Sequence, residues 1–146
     1  MPGRFRPREI AVDQVLTPLI VLVEDDPSLL GALTFALETD GFRVHAHNRG
    51  QAAAADADIA LAGCLVVDLK LPDIDGLALV AQLRAAGVTA PAIVITTNPD
   101  ERHRREAVRA GVNIVEKPLI DGELRRHIDL ALAQGGRLAG PTLAGV

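Results

Sequence analysis

Five short runs typical of β-strands, each followed by a stretch with helical spacing, constrain the fold of this chain more than any other feature. The first run is Leu19–Val23, and the others begin near residues 42, 64, 91 and 112. Continuous apolar strands that alternate with helices predict a parallel sheet covered by helices on both faces. An eight-unit barrel needs about 250 residues. We therefore expect an α/β fold with an open, doubly wound five-stranded parallel sheet and five helices.

Ordinary start and stop residues mark the helices. Asp26 and Pro27 suit the N-cap and first position of a helix that Gly41 closes. The spacing of apolar residues predicts the remaining helices over Gln51–Ala57, Leu77–Ala86, Asp100–Ala110 and Asp121–Ala133.

Both ends of the sequence differ from its middle in composition and in the pattern of apolar residues. Residues 1–18 contain three prolines and no clean period, which predicts a mostly disordered N-terminal extension with a helical turn around Ile10–Leu16. Residues 19–134 form the predicted domain, and the Gly-rich residues 135–146 form a predicted flexible tail.

Composition excludes several classes of function. A net charge of -4 and only three aromatic residues disfavour a nucleic-acid surface, so we expect no direct DNA binding. The apolar runs are too short to span a membrane. A single cysteine, Cys64, fits a reducing compartment and a cytoplasmic location. The histidines show no metal-ligand spacing and are expected at the surface; they are His45, His47, His103 and His127.

Polar residues follow four of the five predicted strands. Glu24 and Asp25 follow the first strand, and Asp68, Thr96 and Lys117 follow the third, fourth and fifth. In a parallel sheet these ends lie at one edge, where ligands bind. Three carboxylates against one ammonium leave excess negative charge, which a hard divalent cation such as Mg²⁺ would relieve.

One chemical interpretation uses all of these side chains. Asp68 is a nucleophile that takes a phosphoryl group, Mg²⁺ offsets the negative charge, and Thr96 and Lys117 contact the phosphoryl oxygens. The only two lysines of the chain, Lys70 and Lys117, both lie in the loops of this predicted site. Lysine is a compact point charge that can reach one phosphoryl oxygen.

The sequence resembles the receiver domain of two-component response regulators, in a stand-alone form like that of chemotaxis regulators. The strings that carry the resemblance span roughly residues 19–134 in matching order and spacing; they are Val21–Pro27, Val67–Gly76, Ile95–Thr97 and Glu116–Pro118. The resemblance implies a flavodoxin-like fold with strand order 2-1-3-4-5. It also implies that Asp68 is the phosphoacceptor and that Thr96 and Lys117 bind the phosphoryl group.

The resemblance further implies a metal site and partners. Asp25 would bind Mg²⁺ directly together with Asp68 and the backbone carbonyl of Lys70, and Glu24 would bind it through water. The Lys117-Pro118 bond would be cis. The phosphoryl donor would be a sensor histidine kinase or a histidine phosphotransfer protein. Signals would pass to a protein target through the face formed by the fourth helix, fifth strand and fifth helix.

Three positions depart from the pattern of the family. Ile114 stands where an aromatic residue or histidine is usual, Leu119 where Phe is frequent, and Thr97 where Ala or Gly is normal. None of Phe5, Phe35 and Phe42 lies where the switch ring would be. We therefore expect a phosphorylation signal to travel by aliphatic repacking or helix movement.

The leading hypothesis is a single-domain response regulator whose only chemistry is its own phosphorylation and dephosphorylation. Only 13 residues follow Ala133, too few for a DNA-binding module. A phosphatase of the haloacid-dehalogenase type would have a second Asp where Lys70 stands. Two alternatives stay open: a receiver-like interaction module that works without phosphorylation, and a receiver fragment of a DNA-binding transcriptional regulator.

Overall fold

The five strands are parallel and lie in the order β2-β1-β3-β4-β5, as the resemblance implied. This computed structural model describes residues 17–120 and 122–139. The strands are β1 (Leu19–Val23), β2 (Arg43–His47), β3 (Cys64–Asp68), β4 (Ala92–Thr96) and β5 (Asn113–Glu116). Because β1 pairs with both β2 and β3, the direction in which strands are added reverses beside β1. Open sheets of this kind form their ligand crevice at that point.

Five α-helices connect or follow the strands. They are α1 (Pro27–Thr39), α2 (Gly50–Ala54), α3 (Gly76–Ala85), α4 (Glu101–Ala110) and α5 (Glu123–Ala139). The predicted N-cap of α1 is confirmed, since the Asp26 carboxylate accepts the backbone N–H of Ser28 at 3.0 Å. Asp75 and Asp100 cap α3 and α4 in the same way. None of the helices among the described residues is both long and apolar enough to cross a membrane.

Two helix ends differ from the prediction. Helix α2 was expected to reach Ala57 but ends at Ala54, and a short 3-10 turn follows at Ile59–Leu61. The Asp56 carboxylate accepts the N–H of Asp58 at 2.8 Å, a local bond that competes with further helix. Helix α5 was expected to end at Ala133 but continues to Ala139, because glycine weakens a helix without necessarily ending it.

Parts of the predicted terminal segments lie outside the described residues. These parts are residues 1–16, which include the turn expected around Ile10–Leu16, and residues 140–146.

The core consists of two apolar layers, one on each face of the sheet. Along β1, Val21 and Val23 belong to one layer, and Ile20 and Leu22 belong to the other. This alternation follows from the two-residue period of a strand. Since both faces of the central strands are covered by helices, only the ends of these strands are left for polar groups.

Candidate functional site

Two buried carboxylates lie side by side at the carboxyl edge of the sheet. Asp68 is the last residue of β3, and Glu24 directly follows β1. Pairing of Val23 with Val67 puts these two acids next to each other. Glu24 is 1% exposed and Asp68 is 5% exposed. Charged groups with so little contact with water need partners within the protein.

Lys117 supplies the positive charge that both acids need. Its Nζ lies 3.0 Å from Oε1 of Glu24 and 3.1 Å from Oδ2 of Asp68. The backbone N–H of Lys117 donates to the carbonyl of Thr96 at 2.8 Å, which fixes the start of this loop against β4. The Lys117-Pro118 peptide bond is cis, as expected. Lys117, which directly follows the edge strand β5, therefore bridges the ends of β1 and β3.

Backbone amides hold the remaining carboxylate oxygens. The N–H of Asp26 donates to Oε2 of Glu24 at 3.0 Å, and the N–H of Lys70 donates to Oδ1 of Asp68 at 3.2 Å. Each buried acid thus has one oxygen beside Lys117 and the other beside a backbone donor. Such bonds orient the carboxylates and partly replace their lost hydration.

The pKa values of this cluster are shifted by the surroundings. Burial raises the pKa of Glu24, and the nearby Asp68 adds to the rise, while the Asp26 amide and Lys117 oppose it. Partial burial would lower the pKa of Lys117, but Glu24 and Asp68 outweigh that effect and raise it. The raised pKa means that Lys117 is more firmly held in its charged form, in which it compensates the two carboxylates.

Gly76 allows the loop after Asp68 to close on the site. The N–H of Gly76 donates to the carbonyl of Leu69 at 2.7 Å. A Cβ at position 76 would lie 2.4 Å from the backbone oxygen of Asp68 and 2.9 Å from Cα of Leu69. No side chain fits this approach, so glycine is required where α3 begins. In the sequence, Gly76 was noted only as the last residue of the Val67–Gly76 string.

Thr96 and Asp25 complete the predicted set at the same edge. Thr96 ends β4 and is 2% exposed. Asp25 is exposed, and its carboxylate oxygens lie with those of Glu24 and Asp68 in a group whose ligand atoms are all within 4.8 Å of one another. The structure therefore brings together the acids that the sequence predicted as neighbours.

A family model for the response regulator receiver domain matches residues 20–129. This chain belongs to that family. The match spans the five strands apart from Leu19 and includes every residue of the site described above.

Curated relatives of this receiver include longer regulators. The transcriptional regulatory protein FixJ of Rhizobium meliloti (strain 1021) is 35% identical over 111 residues, which are 75% of this chain and 54% of FixJ. The response regulator protein TodT of Pseudomonas putida is 30% identical over 115 residues, 78% of this chain and 51% of TodT. The receiver chain thus spans about half the length of these relatives.

Solved structures show the same receiver fold. The crystal structure of FixJ-N matches with a TM-score of 0.71 and 31% identity, covering 80% of this chain and 94% of that one. A CheY-like receiver domain protein from Methanospirillum hungatei JF-1 matches with a TM-score of 0.76 and 22% identity, covering 83% and 98%. The second similarity concerns the fold alone.

The acids of this receiver fit a magnesium ion by their chemistry. Glu24, Asp25 and Asp68 offer only oxygen ligands, within 4.8 Å of one another, and Mg²⁺ prefers carboxylate oxygens and water. Lys117 balances only one of the three negative charges. Asp25 is exposed, so an ion can reach the group from solvent.

One position that departs from the family pattern, Ile114, packs against the core. It is half-buried in β5, opposite Val94. Phe35 is 73% exposed on α1, and Phe42 packs against the other core layer. Phe5 lies outside the described residues. Neither described phenylalanine lies in β5, where the family's switch residue would be.

Sequence reasoning missed one further cluster. His45 and His47 were expected at the surface without metal-ligand spacing, but both are half-buried and contact Asp56. Two histidines separated by one residue on a strand share a face, and this spacing was the sequence signal that could have indicated the cluster. Their common partner could not be predicted, because Asp56 was expected within a helix.

Proposed function

We propose that this receiver accepts a phosphoryl group on Asp68 from a phosphohistidine of a sensor histidine kinase or a histidine phosphotransfer protein, with Mg²⁺ as cofactor. The observation that supports it most is the environment of Asp68. Its two oxygens face the Lys70 N–H at 3.2 Å and the Lys117 Nζ at 3.1 Å. A carboxylate at a strand end, positioned by a lysine ammonium, suits a nucleophile that must carry a new anionic group.

Each residue of the site has a separate role in the proposed phosphoryl transfer. An oxygen of Asp68 forms the new O–P bond while the P–N bond to the donor imidazole breaks and its electron pair returns to the ring. Bound Mg²⁺, held by Asp25, Asp68 and the carbonyl of Lys70, with Glu24 through water, would offset negative charge on the carboxylate and the phosphoryl oxygens. Lys117 donates to one phosphoryl oxygen, and the Thr96 hydroxyl donates to another.

Phosphorylation changes the charge at the edge of the sheet. The single charge of Asp68 becomes nearly two, with three strong acceptor oxygens. Lys117 can exchange its present contact with Asp68 for a phosphoryl oxygen, and this exchange pulls the loop that follows β5. Movement of that loop and of Thr96 alters the surface formed by α4, β5 and α5.

Output is proposed through protein contacts on the α4–β5–α5 face. Exposed apolar side chains lie on or beside these elements: Val108 is 80% exposed, Ile120 is 70% exposed and Leu130 is 63% exposed. Arg104 of α4 reaches Glu116 of β5 at 3.2 Å, which links two elements of the same face. Apolar groups between charged residues are typical of protein interfaces.

No independent substrate turnover is proposed for this receiver. Its chemistry is limited to its own phosphorylation and dephosphorylation. The alternative of output through DNA draws support from the similarity to FixJ, a transcriptional regulatory protein of which this chain covers 54%. A receiver of this fold can serve either kind of output, and the chemistry at Asp68 is common to both.

The proposal is tested by incubating the protein with acetyl phosphate and Mg²⁺ and measuring its intact mass. We expect the wild type to gain one phosphoryl group, with the gain lost in EDTA and strongly reduced in Asp25→Asn. Asp68→Asn should gain none. Asp26→Asn is the matched control, because Asp26 neighbours the site but its carboxylate caps α1, and it should gain the group normally. Equal labelling of wild type and Asp68→Asn would refute the proposal.

A further inference from the structure

Two histidines on the edge strand converge on one carboxylate oxygen. Nδ1 of His45 lies 2.9 Å from Oδ2 of Asp56, and Nε2 of His47 lies 2.8 Å from the same atom. Both histidines project from one face of β2, since alternate residues of a strand share a face. Within the part of the chain that the structure describes, β2 is at the edge of the sheet, so no further strand lies beside the cluster.

Asp56 is held in place for this contact. Its Oδ1 accepts the N–H of Asp58 at 2.8 Å, its own N–H donates to the carbonyl of Ala53 at 3.1 Å, and its carbonyl accepts the N–H of Ile59 at 3.0 Å. Its side chain is only 8% exposed. The carboxylate therefore faces the imidazoles in a fixed position rather than from a free surface side chain.

Asp58 adds a second carboxylate to the group. Ligand atoms of His45, Asp56 and Asp58 all lie within 4.8 Å of one another. His47 lies outside this group of three but contacts Asp56, so the cluster as a whole offers two imidazole nitrogens and two carboxylate oxygens from β2 and from the loop after α2. The two histidine side chains are 35% and 20% exposed, so the group is accessible from solvent.

We propose that His45, His47, Asp56 and Asp58 bind one divalent transition-metal ion of the Zn²⁺ type. Four donors that include two imidazoles match the tetrahedral sites of zinc, whereas Mg²⁺ takes oxygen ligands. Two carboxylates balance the charge of a divalent ion when both imidazoles are neutral. The nitrogen–oxygen separations of 2.8 and 2.9 Å must lengthen slightly, and His47 must turn toward His45 and Asp58 to join the group of three. Tetrahedral ligands at about 2.0–2.1 Å from zinc are about 3.3 Å apart.

Metal binding requires a defined protonation state of the two rings. Each ring nitrogen that now faces the Asp56 carboxylate carries a proton and donates a hydrogen bond to that carboxylate. A metal ion instead needs the lone pair of the same nitrogen. Each neutral ring must therefore hold its proton on the other nitrogen, Nε2 of His45 and Nδ1 of His47. Protons are exchanged with water, and both imidazoles stay uncharged.

This site is separate from the acids at the sheet edge but adjoins them. His47 is the last residue of β2, and its carbonyl accepts the backbone N–H of Glu24 at 3.0 Å. Excess Mg²⁺ should occupy the oxygen-only group of Glu24, Asp25 and Asp68, and should leave the histidines free. A zinc titration in excess Mg²⁺ therefore isolates the new site.

The experiment is a calorimetric titration of the full chain with ZnCl₂ in excess Mg²⁺. The variants are His45→Asn and His47→Gln. In each variant the side-chain amide puts an N–H donor where the ring nitrogen contacted Asp56, but no imidazole is left to bind a metal. His127→Gln, which changes a histidine of α5, is the control. Far-ultraviolet circular dichroism checks the fold of each variant.

We expect the wild type and His127→Gln to bind one equivalent of Zn²⁺. Binding to His45→Asn and His47→Gln should weaken more than about tenfold, since even outer-shell partners of zinc ligands contribute about 10- to 100-fold. In the wild type, ¹⁵N ring signals of His45 and His47 should shift on adding Zn²⁺, a readout that needs no variant. Absence of saturable binding in the wild type, wild-type affinity in either His45→Asn or His47→Gln, or unshifted ring signals would each overturn the proposal.

Discussion

Nζ of Lys117 donates a hydrogen bond to Oδ2 of Asp68 across 3.1 Å, although 49 residues separate them in sequence. The same Nζ lies 3.0 Å from the buried carboxylate of Glu24. One ammonium therefore compensates two buried charges at adjacent strand ends. This arrangement stabilises the unphosphorylated state and places the cation where a phosphoryl group on Asp68 would need it.

Replacing Lys117 by Met should destabilise the fold. Removing one partner of a buried ion pair costs about 3–5 kcal/mol. The Lys117 side chain is 20% exposed. We therefore expect a smaller loss of about 1–3 kcal/mol in the free energy of unfolding, measured by urea denaturation. Lys70→Met changes the only other lysine, which is exposed, and should cost less than about 0.5 kcal/mol.

A second substitution separates charge compensation from packing. Glu24→Gln in the Lys117→Met background removes one of the uncompensated charges, so part of the lost stability should return. If the double variant is less stable than Lys117→Met, lost packing of the lysine stem explains the effect and charge compensation does not.

A matched pair of glycine substitutions tests the close approach beside Asp68. Gly76→Ala would place Cβ 2.4 Å from a backbone oxygen, so we expect a loss of about 1–3 kcal/mol in unfolding free energy. Gly31 lies within α1 and a Cβ there would meet no heavy atom within 4 Å. Gly31→Ala should therefore stabilise the protein by about 0.5–1 kcal/mol. Equal effects of the two substitutions would contradict the structure of this loop.

Stability should fall in acid partly through Asp73. Its carboxylate accepts the N–H groups of Gly50 and Gln51 at 2.8 and 2.7 Å, at the start of α2. The bond from Gln51 is the main cause that lowers the pKa of Asp73. A lowered folded-state pKa adds stability above the unfolded value of about 3.9, and this is lost as the pH falls through the folded value.

Urea denaturation of wild type and Asp73→Ala over a range of pH measures this contribution. We expect the wild type to be more stable at pH 5–7 and the difference to shrink as the pH drops below about 4. A difference that stays constant down to the acid transition would show that the ionised carboxylate of Asp73 has no special role.

Ile114 should report phosphorylation in place of an aromatic ring. It is half-buried and packs against the core layer that includes Ala107 of α4. On adding acetyl phosphate and Mg²⁺, methyl NMR signals of Ile114 and amide signals of α4 should shift. The methyl signals of Ile20 should stay unchanged. This residue is fully buried and lies near the amino-terminal end of β1, away from the edge that holds Asp68. Shifts no larger for Ile114 than for Ile20 would exclude this route.

Much of the fold followed from local pattern. The strand patterns predicted the strand positions to within a residue, and β1, β3 and β4 are buried along their whole length, as continuous apolar runs indicate. Residues at the carboxyl ends of parallel strands share an edge, so the closeness of Glu24, Asp25 and Asp68 was predictable from topology alone. The cap of α1 by Asp26 was equally local.

Features that depend on contacts between distant segments were not predictable in this way. Asp73 caps α2 from the loop after β3, and Asp56 meets two histidines of β2, yet neither partner is marked in sequence. The bridging of Glu24 by Lys117 depends on which oxygens the backbone amides already hold. Loop geometry, not residue type, decides these contacts.

Direct mapping of the phosphoryl group tests the central claim most closely. After incubation with acetyl phosphate and Mg²⁺, borohydride reduces an aspartyl phosphate to homoserine, and peptide mass spectrometry locates the changed residue. We predict homoserine at position 68 alone, absent when the phosphodonor or Mg²⁺ is omitted. Conversion at another aspartate, or no conversion at Asp68 in a protein that has gained a phosphoryl group, would contradict the assignment.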